Sequence, residues 1–521
     1  MENTAELLGP AMQALRKYKE KHRDKSPVAV IHGDDVLGAE HTQTLLKHHY
    51  IYEITDSWYY EGSGVDPSDW YKAYWYFISA YLNEKYGEDW LLSSDDSLLF
   101  LSGSGVIPRQ LAVRTPFPDE HITRLPFGHE LLTIQASDPP IPEAFEQEPS
   151  YGLMIFPLNW ALLTASPGFF RQHPVEARTC LAMVGNPGAL VRTAVNRGFI
   201  NGACRVAGGI RSIGNPWFAD YIMSCLRNSG CTGEEENPFP EDITVPMDEK
   251  AIRSRMKLLW RKMRPAVLDA EETILTEPRD WNAGELMHMM KEVYVKDAFH
   301  SLNIDGYVVS QDLIEKSKGA TDETDTGDWG AEPMAACFAK DYARAFRYAE
   351  SDIIDSLTGG DEIGKVVHSV IHWHEWQTES AIDAKLLPYD GRCISHRNGQ
   401  CYVARSRHIP VGHEDVDAAM ETLKELLTGE RNAFVRAVLG HFLLVYFHPF
   451  MECNGIMARF LMNSQLLSGG YPWTVITEDL EEEYNDVLEK ACVELDISGF
   501  AALVARQVDL CGWSDNLGTR M

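Results

Sequence analysis

The chain has 521 residues, 24% charged and 45% hydrophobic, a composition typical of soluble globular domains and not of a disordered chain. Acidic side chains outnumber basic ones 77 to 47, and the resulting net charge of −30 disfavours nonspecific binding to nucleic acid. Ten cysteines without a CxxC pair indicate reduced thiols in a cytoplasmic protein, not a disulfide framework or a zinc site.

The N-terminal part of the chain mixes two kinds of pattern. The first 26 residues have helical periodicity and lack the apolar core of a signal peptide, and no run of 18 apolar residues predicts a membrane span. Residues 28–135 alternate helical and strand-like stretches. Within them, residues 69–87 have the spacing of a helix that ends at Gly87. Residues 97–115 have the character of short strands separated by Gly and Pro.

The rest of the chain is predicted to be helical. Residues 151–227 are mainly helical, and residues 227–246, rich in Gly, Pro and acidic residues, are interpreted as the principal linker. From 248 to 512 the helical pattern is interrupted by an acidic loop at 319–333 and by a strand-prone patch at 392–410.

These patterns predict a mainly α protein with three parts. Residues 1–235 form a mixed α/β region, and residues 236–290 form a linker and connecting helix. Residues 291–512 form an all-helical domain, in which the strand-prone patch predicts a small β-hairpin.

The residues that could bind a ligand or carry out chemistry concentrate at 431–470. An apolar helix must end where proline follows His448, because a proline excludes the residue before it from the α region. A short loop then leads into a second helix, from about Ile456 to Leu467. The start of that helix offers free backbone N–H groups and the positive end of a dipole, which together predict an anion site.

Three side chains flank this predicted anion site. His448 can serve as a base, Glu452 as a ligand for a hard cation, and Arg459, one helical turn in, as a fork for phosphate. The same residues also fit a purely structural interpretation, in which His448 and Glu452 merely cap two packed helices. Spacing alone leaves both interpretations open.

The sequence HPFMECNGIMARF, residues 448–460, resembles the Fic motif HPFx(D/E)GN(G/K)RxxR of the Fic/Fido family. Seven positions match in order: His448, Pro449, Phe450, Glu452, Asn454, Gly455 and Arg459. The resemblance extends over about the last half of the chain. It includes a segment similar to the family's target-docking flap, at Arg407, His408 and Ile409.

The resemblance implies transfer of a nucleotide monophosphate, usually AMP from ATP, onto a hydroxyl of a protein target. His448 would be the general base, and Glu452 would hold Mg²⁺ that bridges phosphates. An imidazole with an ordinary pKa near 6.5 suits that role.

The phosphate-binding part of the motif departs from the family pattern at two positions. By resemblance, the backbone of Cys453 and Gly455 and the Asn454 side chain would stabilise charge on the α-phosphate, and Arg459 would contact the outer phosphates. Cys453, however, replaces a glycine, and Ile456 replaces the first arginine. Three functions therefore stay open: AMP transfer, altered donor or small-molecule acceptor chemistry in the same site, or a degenerate regulatory scaffold.

Residues 297–316 resemble the inhibitory helix of many Fic proteins, (S/T)xxxE(G/N). Ser301 and Gly306 match, and Asp305 replaces the usual glutamate. The resemblance implies that Asp305 pairs with Arg459 and blocks the position of the γ-phosphate. Ser301 and Asp305 are equally the residue types of an ordinary cap and turn.

A fainter resemblance links the N-terminal half, through YLNEKYGEDWLLSSDDSLLFLSGSGVIPRQLAVRT and a following LPFG, to AbiEi-like domains found ahead of Fic domains in bacterial proteins. It implies a bacterial, cytoplasmic protein whose first half regulates or recruits. We expect a hydroxyl-bearing protein or a small-molecule acceptor as partner, no nucleic acid and no membrane, with a homodimer as one option for assembly.

Overall fold

The computed structural model describes residues 2–22, 27–33, 36–118, 120–136, 146–318, 333–359, 363–387 and 396–518. The chain divides into two compact units. The N-terminal unit comprises Met1–Arg255 and Tyr402–Ile409, and the C-terminal unit comprises Met256–Cys401 and Pro410–Met521. The predicted acidic loop at 319–333, apart from Pro333, lies outside the described residues.

The N-terminal unit contains every strand of the described residues, in three small sheets. A three-stranded antiparallel sheet has the order β1-β3-β2, and a two-stranded one pairs β8 with β9. A four-stranded sheet has the order β4-β5-β7-β6, with β5 and β7 parallel. The strands are β1 Val30–His32, β2 Ile51–Thr55, β3 Trp58–Glu61, β4 Leu91–Leu92, β5 Gln110–Thr115, β6 His121–Leu125, β7 His129–Gln135, β8 Glu146–Gln147 and β9 Met154–Ile155.

Helices cover these sheets and continue after them, as the mixed α/β prediction requires. They are α1 Glu2–His22, α2 Ala39–Lys47, α3 Ser68–Tyr86, α4 Ser94–Leu101, α5 Leu158–Thr164, α6 Pro167–Gln172, α7 Pro174–Ala182, α8 Pro187–Arg197, α9 Ile200–Ser212 and α10 Pro216–Asn228. The predicted helix that stops at Gly87 is α3, and its aromatic face is buried in the core through Trp70, Tyr74 and Phe77. The prediction of a helix over residues 69–87 is therefore confirmed.

The strand prediction for residues 97–115 is half wrong. Its second part is β5, but its first part belongs to α4. Ser93 caps α4, because its hydroxyl accepts a hydrogen bond from the Asp96 N–H at 3.0 Å. This capping signal outweighs the strand-like run of leucines that follows it.

The segment 231–250, which includes most of the predicted linker, contains no helix or strand. It is nevertheless held to the N-terminal unit by backbone hydrogen bonds. Its backbone donates from Ile243 to the carbonyl of Ser212 and from Val245 to that of Ile213, both at 2.9 Å. The segment therefore belongs to the N-terminal unit, and the division between units falls further along, within α11.

All the regular secondary structure in the described residues of the C-terminal unit is helical, in agreement with prediction. Its α-helices are α11 Ala251–Glu271, which begins in the other unit, α12 Ala283–Ile304, α13 Gln311–Lys318, α14 Pro333–Gly359, α15 Ser369–Asp383, α16 Val416–Gly429, α17 Ala433–Phe447, α18 Asn454–Ser468, α19 Glu481–Val493 and α20 Ser498–Gly518. The central pair is α17 and α18, which are buried on almost all sides. No described helix has both the length and the apolar content that a bilayer span needs.

The segment expected to form a hairpin flap has no strand in its described residues, 396–410. Its residues Tyr402–Ile409 belong instead to the N-terminal unit, where His408 forms an isolated antiparallel bridge with Val106. The Ile409 N–H donates to the carbonyl of Gly105 at 2.8 Å. Gly105 has φ +66°, and a Cβ there would lie 2.1 Å from the carbonyl oxygen of Ile409, so this pairing requires glycine.

Candidate active site

The loop between α17 and α18 turns sharply at both ends. His448, directly after α17, has φ 53°, and Cys453, directly before α18, has φ 62°. Left-handed backbone costs a residue with a side chain about 1–2 kcal/mol, which explains why glycine suits position 453. The helix end predicted at His448 is confirmed, and α18 begins at Asn454, two residues before the predicted start.

Asn454 holds this loop closed. Its side-chain oxygen accepts from the Phe450 N–H at 3.0 Å, and its amide donates to the Phe450 carbonyl at 2.8 Å. The side chain is 3% exposed. Its visible function is to fix the shape of the loop, so a contact with the α-phosphate remains a prediction.

His448 is a neutral imidazole near pH 7. Burial lowers the pKa of His448, the Val445 carbonyl offsets part of that effect, and the nearby Arg397 guanidinium adds to the lowering, so that the pKa of His448 is about 4. Nδ1 lies 3.3 Å from that carbonyl oxygen. With the Nδ1 proton used there, Nε2 is the basic nitrogen, as a general base requires.

Arg397 holds the backbone at His448, although no local pattern in the sequence points to this residue. Its Nε donates to the carbonyl of His448 at 2.7 Å, and its Nη2 donates to that of Phe447 at 3.3 Å. The side chain is 5% exposed. A cation at the last carbonyls of α17 is favoured by the helix dipole, but only the fold brings residue 397 there.

The start of α18 binds a carboxylate of the protein itself, that of Asp305. Asp305, immediately after α12, accepts from Arg459 Nη2 at 2.7 Å through Oδ1 and from the Ile456 N–H at 3.3 Å through Oδ2. A Cβ on Gly455 would lie 2.5 Å from Oδ1. The Asp305 carboxylate therefore stands in for the phosphate oxygens that this helix start is predicted to bind.

Arg459 has a partner on each of its nitrogens. Its Nε donates to the Ser301 hydroxyl at 2.7 Å, Nη2 also donates to the Ser301 carbonyl at 2.9 Å, and Nη1 faces the Tyr484 hydroxyl at 3.4 Å. Burial alone would lower the pKa of Arg459, but the Asp305 carboxylate and the neighbouring tyrosines more than offset that effect and raise it. The guanidinium stays charged although it is 3% exposed.

The other carboxylate of the site, Glu452, is partly buried. Burial raises the pKa of Glu452, the Tyr307 hydroxyl lowers it, and Asp305 raises it again. The Tyr307 hydroxyl lies 3.3 Å from Glu452 Oε2. The Glu452 carbonyl lies 3.2 Å from Nε2 of His374, whose ring stacks on Phe450 at 3.9 Å.

Glu452 fits a magnesium ion shared with a nucleotide better than a site built by the protein alone. Within the described ranges, no three His, Cys, Asp or Glu side chains group to hold a metal. Mg²⁺ is commonly bound by one or two carboxylates, with substrate phosphates and water completing its shell. One carboxylate beside an anion site matches that donor set.

The structure brings most of the predicted site residues together in the C-terminal unit: Ser301, Asp305, Gly306, His448, Glu452, Cys453, Asn454, Gly455 and Arg459. It assigns the three flap residues, Arg407, His408 and Ile409, to the N-terminal unit. Their predicted role in target docking remains a prediction.

This loop lies within a segment that matches a known family. The sequence profile of the Fic/DOC family matches residues 367–466. The chain carries a Fic domain. Protein adenylyltransferase Fic of Nematostella vectensis is 28% identical over 289 residues, which cover 52% of this chain and 62% of the relative. The Drosophila melanogaster protein of the same name is 25% identical over 285 residues, which cover 52% of this chain and 50% of the relative.

The Fic domain and its surroundings are also similar to solved structures. Fic-1 from C. elegans is 19% identical, with a TM-score of 0.38, over 67% of this chain and 99% of that one. A Fic family protein from Desulfovibrio desulfuricans G20 is 17% identical, with a TM-score of 0.37, over 49% of this chain and 76% of that one. The matched region spans only about half to three-fifths of the adenylyltransferase relatives. The bacterial source and the AbiEi-like N-terminal domain remain predictions.

Proposed function

We propose that this protein transfers AMP from ATP to a hydroxyl of a protein target and that the described structure is its self-inhibited form. The observation that carries the proposal is the Asp305 carboxylate at the start of α18, bound by Arg459 and the Ile456 N–H. A site that binds a carboxylate through a helix start and a guanidinium can bind phosphate oxygens in the same way. The adenylyltransferase names of the relatives support the same reaction.

The reaction assigns a task to each residue. Nε2 of His448 takes the proton of the target hydroxyl, whose oxygen then attacks the α-phosphorus. The bond from that phosphorus to the bridging oxygen breaks, and pyrophosphate leaves with the electron pair. Backbone N–H groups at the start of α18 stabilise the charge on the α-phosphate, and Arg459 binds the outer phosphates once Asp305 has left. Glu452 would hold Mg²⁺, which when bound neutralises phosphate charge.

A second candidate, altered donor chemistry in the same site, is favoured by one observation. Ile456 is fully buried, so position 456 brings no charge to the phosphates where the motif has an arginine. A donor with fewer outer phosphate charges would lose less from that replacement. A degenerate scaffold without turnover is the remaining alternative.

The test compares two radioactive labels of ATP on the Asp305→Gly variant in a bacterial lysate. Label on the α-phosphate should appear on protein, and label on the γ-phosphate should not, because AMP transfer releases the γ-phosphate with pyrophosphate. The variant that also carries His448→Ala should show neither. Transfer of the γ-label would indicate phosphoryl transfer, and absence of both labels would reject AMP transfer from ATP.

A further inference from the structure

Tyr307 contacts the metal-binding side of the site from the inhibitory segment. It follows Gly306, whose φ of +87° turns the chain after α12, and its N–H donates to the Leu302 carbonyl at 3.0 Å. Its hydroxyl lies 3.3 Å from Oε2 of Glu452 and 3.9 Å from Sγ of Cys453.

The ring of Tyr307 is held in place by stacking. Its centroid lies 3.9 Å from that of Phe338, with 20° between the planes, and Phe338 is fully buried in α14. The hydroxyl therefore meets Glu452 in a fixed orientation.

The three departures from the family motifs belong to the same group of contacts. Asp305 accepts from the Ile456 N–H, and Tyr307 contacts Cys453. Positions 305, 453 and 456 are thus linked to one another through the short segment 305–307. That segment meets both halves of the proposed donor site, the phosphate half at Arg459 and the metal half at Glu452.

We propose that Tyr307 is a latch on the metal half of the site: its hydroxyl binds Glu452 in the closed form and must leave when a divalent cation binds there. The proposal rests on the proposed function. Glu452 would hold the cation and Arg459 would bind the phosphates, and in the closed form Tyr307 and Asp305 contact these same two side chains. Because Asp305 and Tyr307 are separated only by Gly306, release of one contact loosens the other, and the nucleotide and the cation favour the same open form.

The opposite role makes an opposite prediction. A hydroxyl that donates to a metal-binding carboxylate can orient it, and its removal then typically weakens metal binding tenfold or more. A latch that must be broken weakens metal binding while it is present. The sign of the change on removal of the hydroxyl therefore separates the two roles.

The experiment measures Mn²⁺ binding to the full chain, by the electron paramagnetic resonance signal of free Mn²⁺, with the non-hydrolysable β,γ-imido analogue of ATP present. Tyr307→Phe keeps the stacked ring and removes only the hydroxyl. We expect it to bind Mn²⁺ about 3- to 10-fold more tightly than wild type, which is the range for one net hydrogen bond. Glu452→Gln in the Tyr307→Phe background should abolish the gain.

The matched control is Tyr471→Phe, because the Tyr471 hydroxyl bonds Oε1 of Glu271 at 3.2 Å in the same unit. It should leave Mn²⁺ affinity unchanged, and thermal melts verify that each variant is folded. Unchanged or weaker binding in Tyr307→Phe, or a gain that survives Glu452→Gln, overturns the latch. Since the measurement needs no turnover, tighter binding without label transfer would retain the latch and reject only the proposed reaction.

Discussion

At the scale of single residues, the candidate base is the best defined part of the site. His448 lies in left-handed backbone, its Nδ1 faces the Val445 carbonyl, and Arg397 binds its own carbonyl. These contacts fix the position of the imidazole, and burial keeps it neutral near pH 7. A base held in this way needs no rearrangement to accept a proton from a hydroxyl.

The pH dependence of transfer follows from the lowered pKa of His448. Its value of about 4 means that the imidazole stays unprotonated well below the usual pKa near 6.5. In the Asp305→Gly variant, the initial rate of AMP transfer should not fall to half its maximum near pH 6.5. It should persist to about pH 5. His448→Ala should be inactive at every pH and should fold normally.

The same shift has a consequence for stability, and its sign is fixed. The unfolded chain binds a proton on His448 near pH 6.5, whereas the folded chain does so only near 4. Stability therefore falls as the pH drops from about 6.5 towards 4. The His448→Ala variant should lose less stability than wild type over that range. A half-loss of AMP-transfer activity centred on pH 6.5 would contradict the lowered pKa of His448, although not its assignment as the base.

Replacement of Ile456 by arginine tests whether the lost cation of the motif can be restored. Ile456 is fully buried, so a guanidinium there must either stay unpaired in the core or displace its surroundings. We expect Ile456→Arg to lower the free energy of unfolding by about 2–4 kcal/mol, measured by urea denaturation. Ile456→Leu, which keeps volume and polarity, should cost less than about 1.5 kcal/mol. If Ile456→Arg stays stable and binds ATP more tightly, the side chain reaches the phosphates as the motif implies.

The limits of sequence reasoning are clear at this scale. The motif identifies His448, Glu452 and Arg459 because their types and spacing are local properties. Arg397 and Tyr307 could not be identified, because they meet the loop only through contacts 51 and 145 residues apart in sequence.

At the scale of elements, the candidate site lies where the end of α12 meets the start of α18. The end of α12 supplies a carboxylate, and the start of α18 supplies backbone N–H groups and a positive dipole end. The Asp305–Arg459 ion pair is largely dehydrated, since the two side chains are 14% and 3% exposed. Aspartate, although shorter than the family's glutamate, reaches the arginine.

Removal of that carboxylate should open the nucleotide site. A hydrogen bond to a charged group contributes about 1.5–3 kcal/mol, so Asp305→Gly should tighten ATP binding by about 10- to 100-fold in calorimetry. Arg459→Ala should weaken it, because the phosphates lose their fork. Asp312→Gly, at an exposed position in α13, is the control for loss of an aspartate elsewhere. Equal affinity of Asp305→Gly and wild type would reduce segment 301–306 to a helix cap and turn.

The elements themselves were largely predictable, for a physical reason. The helices α3, α17 and α18 follow from apolar periodicity and from Gly and Pro at their ends, which act locally. The strand prediction fails at α4 because the cap at Ser93 favours a helix over the strand-like run of leucines that follows it. The flap differs because its backbone pairs with residues 105–107, which no local pattern encodes.

At the scale of the whole molecule, charge is the dominant property. With 77 acidic and 47 basic side chains, 30 carboxylates remain without a basic counterpart even if every cation is paired. Such an excess destabilises the compact state through self-repulsion. Exposed ion pairs such as Arg16–Glu20 act in the opposite sense, but each contributes only about 0–1 kcal/mol.

The balance between these two effects can be measured with salt. An increase in NaCl from about 10 mM to 1 M shortens the Debye length from about 30 Å to 3 Å, which screens the long-range repulsion among all carboxylates as well as the few exposed attractions. Because the repulsion sums over 30 unpaired charges, we expect the melting temperature at pH 7 to rise with NaCl. Choline chloride at equal ionic strength should give the same rise, since screening does not depend on the cation. A melting temperature that falls with both salts would show that local ion pairs outweigh the net charge, and a rise with NaCl alone would indicate specific sodium binding.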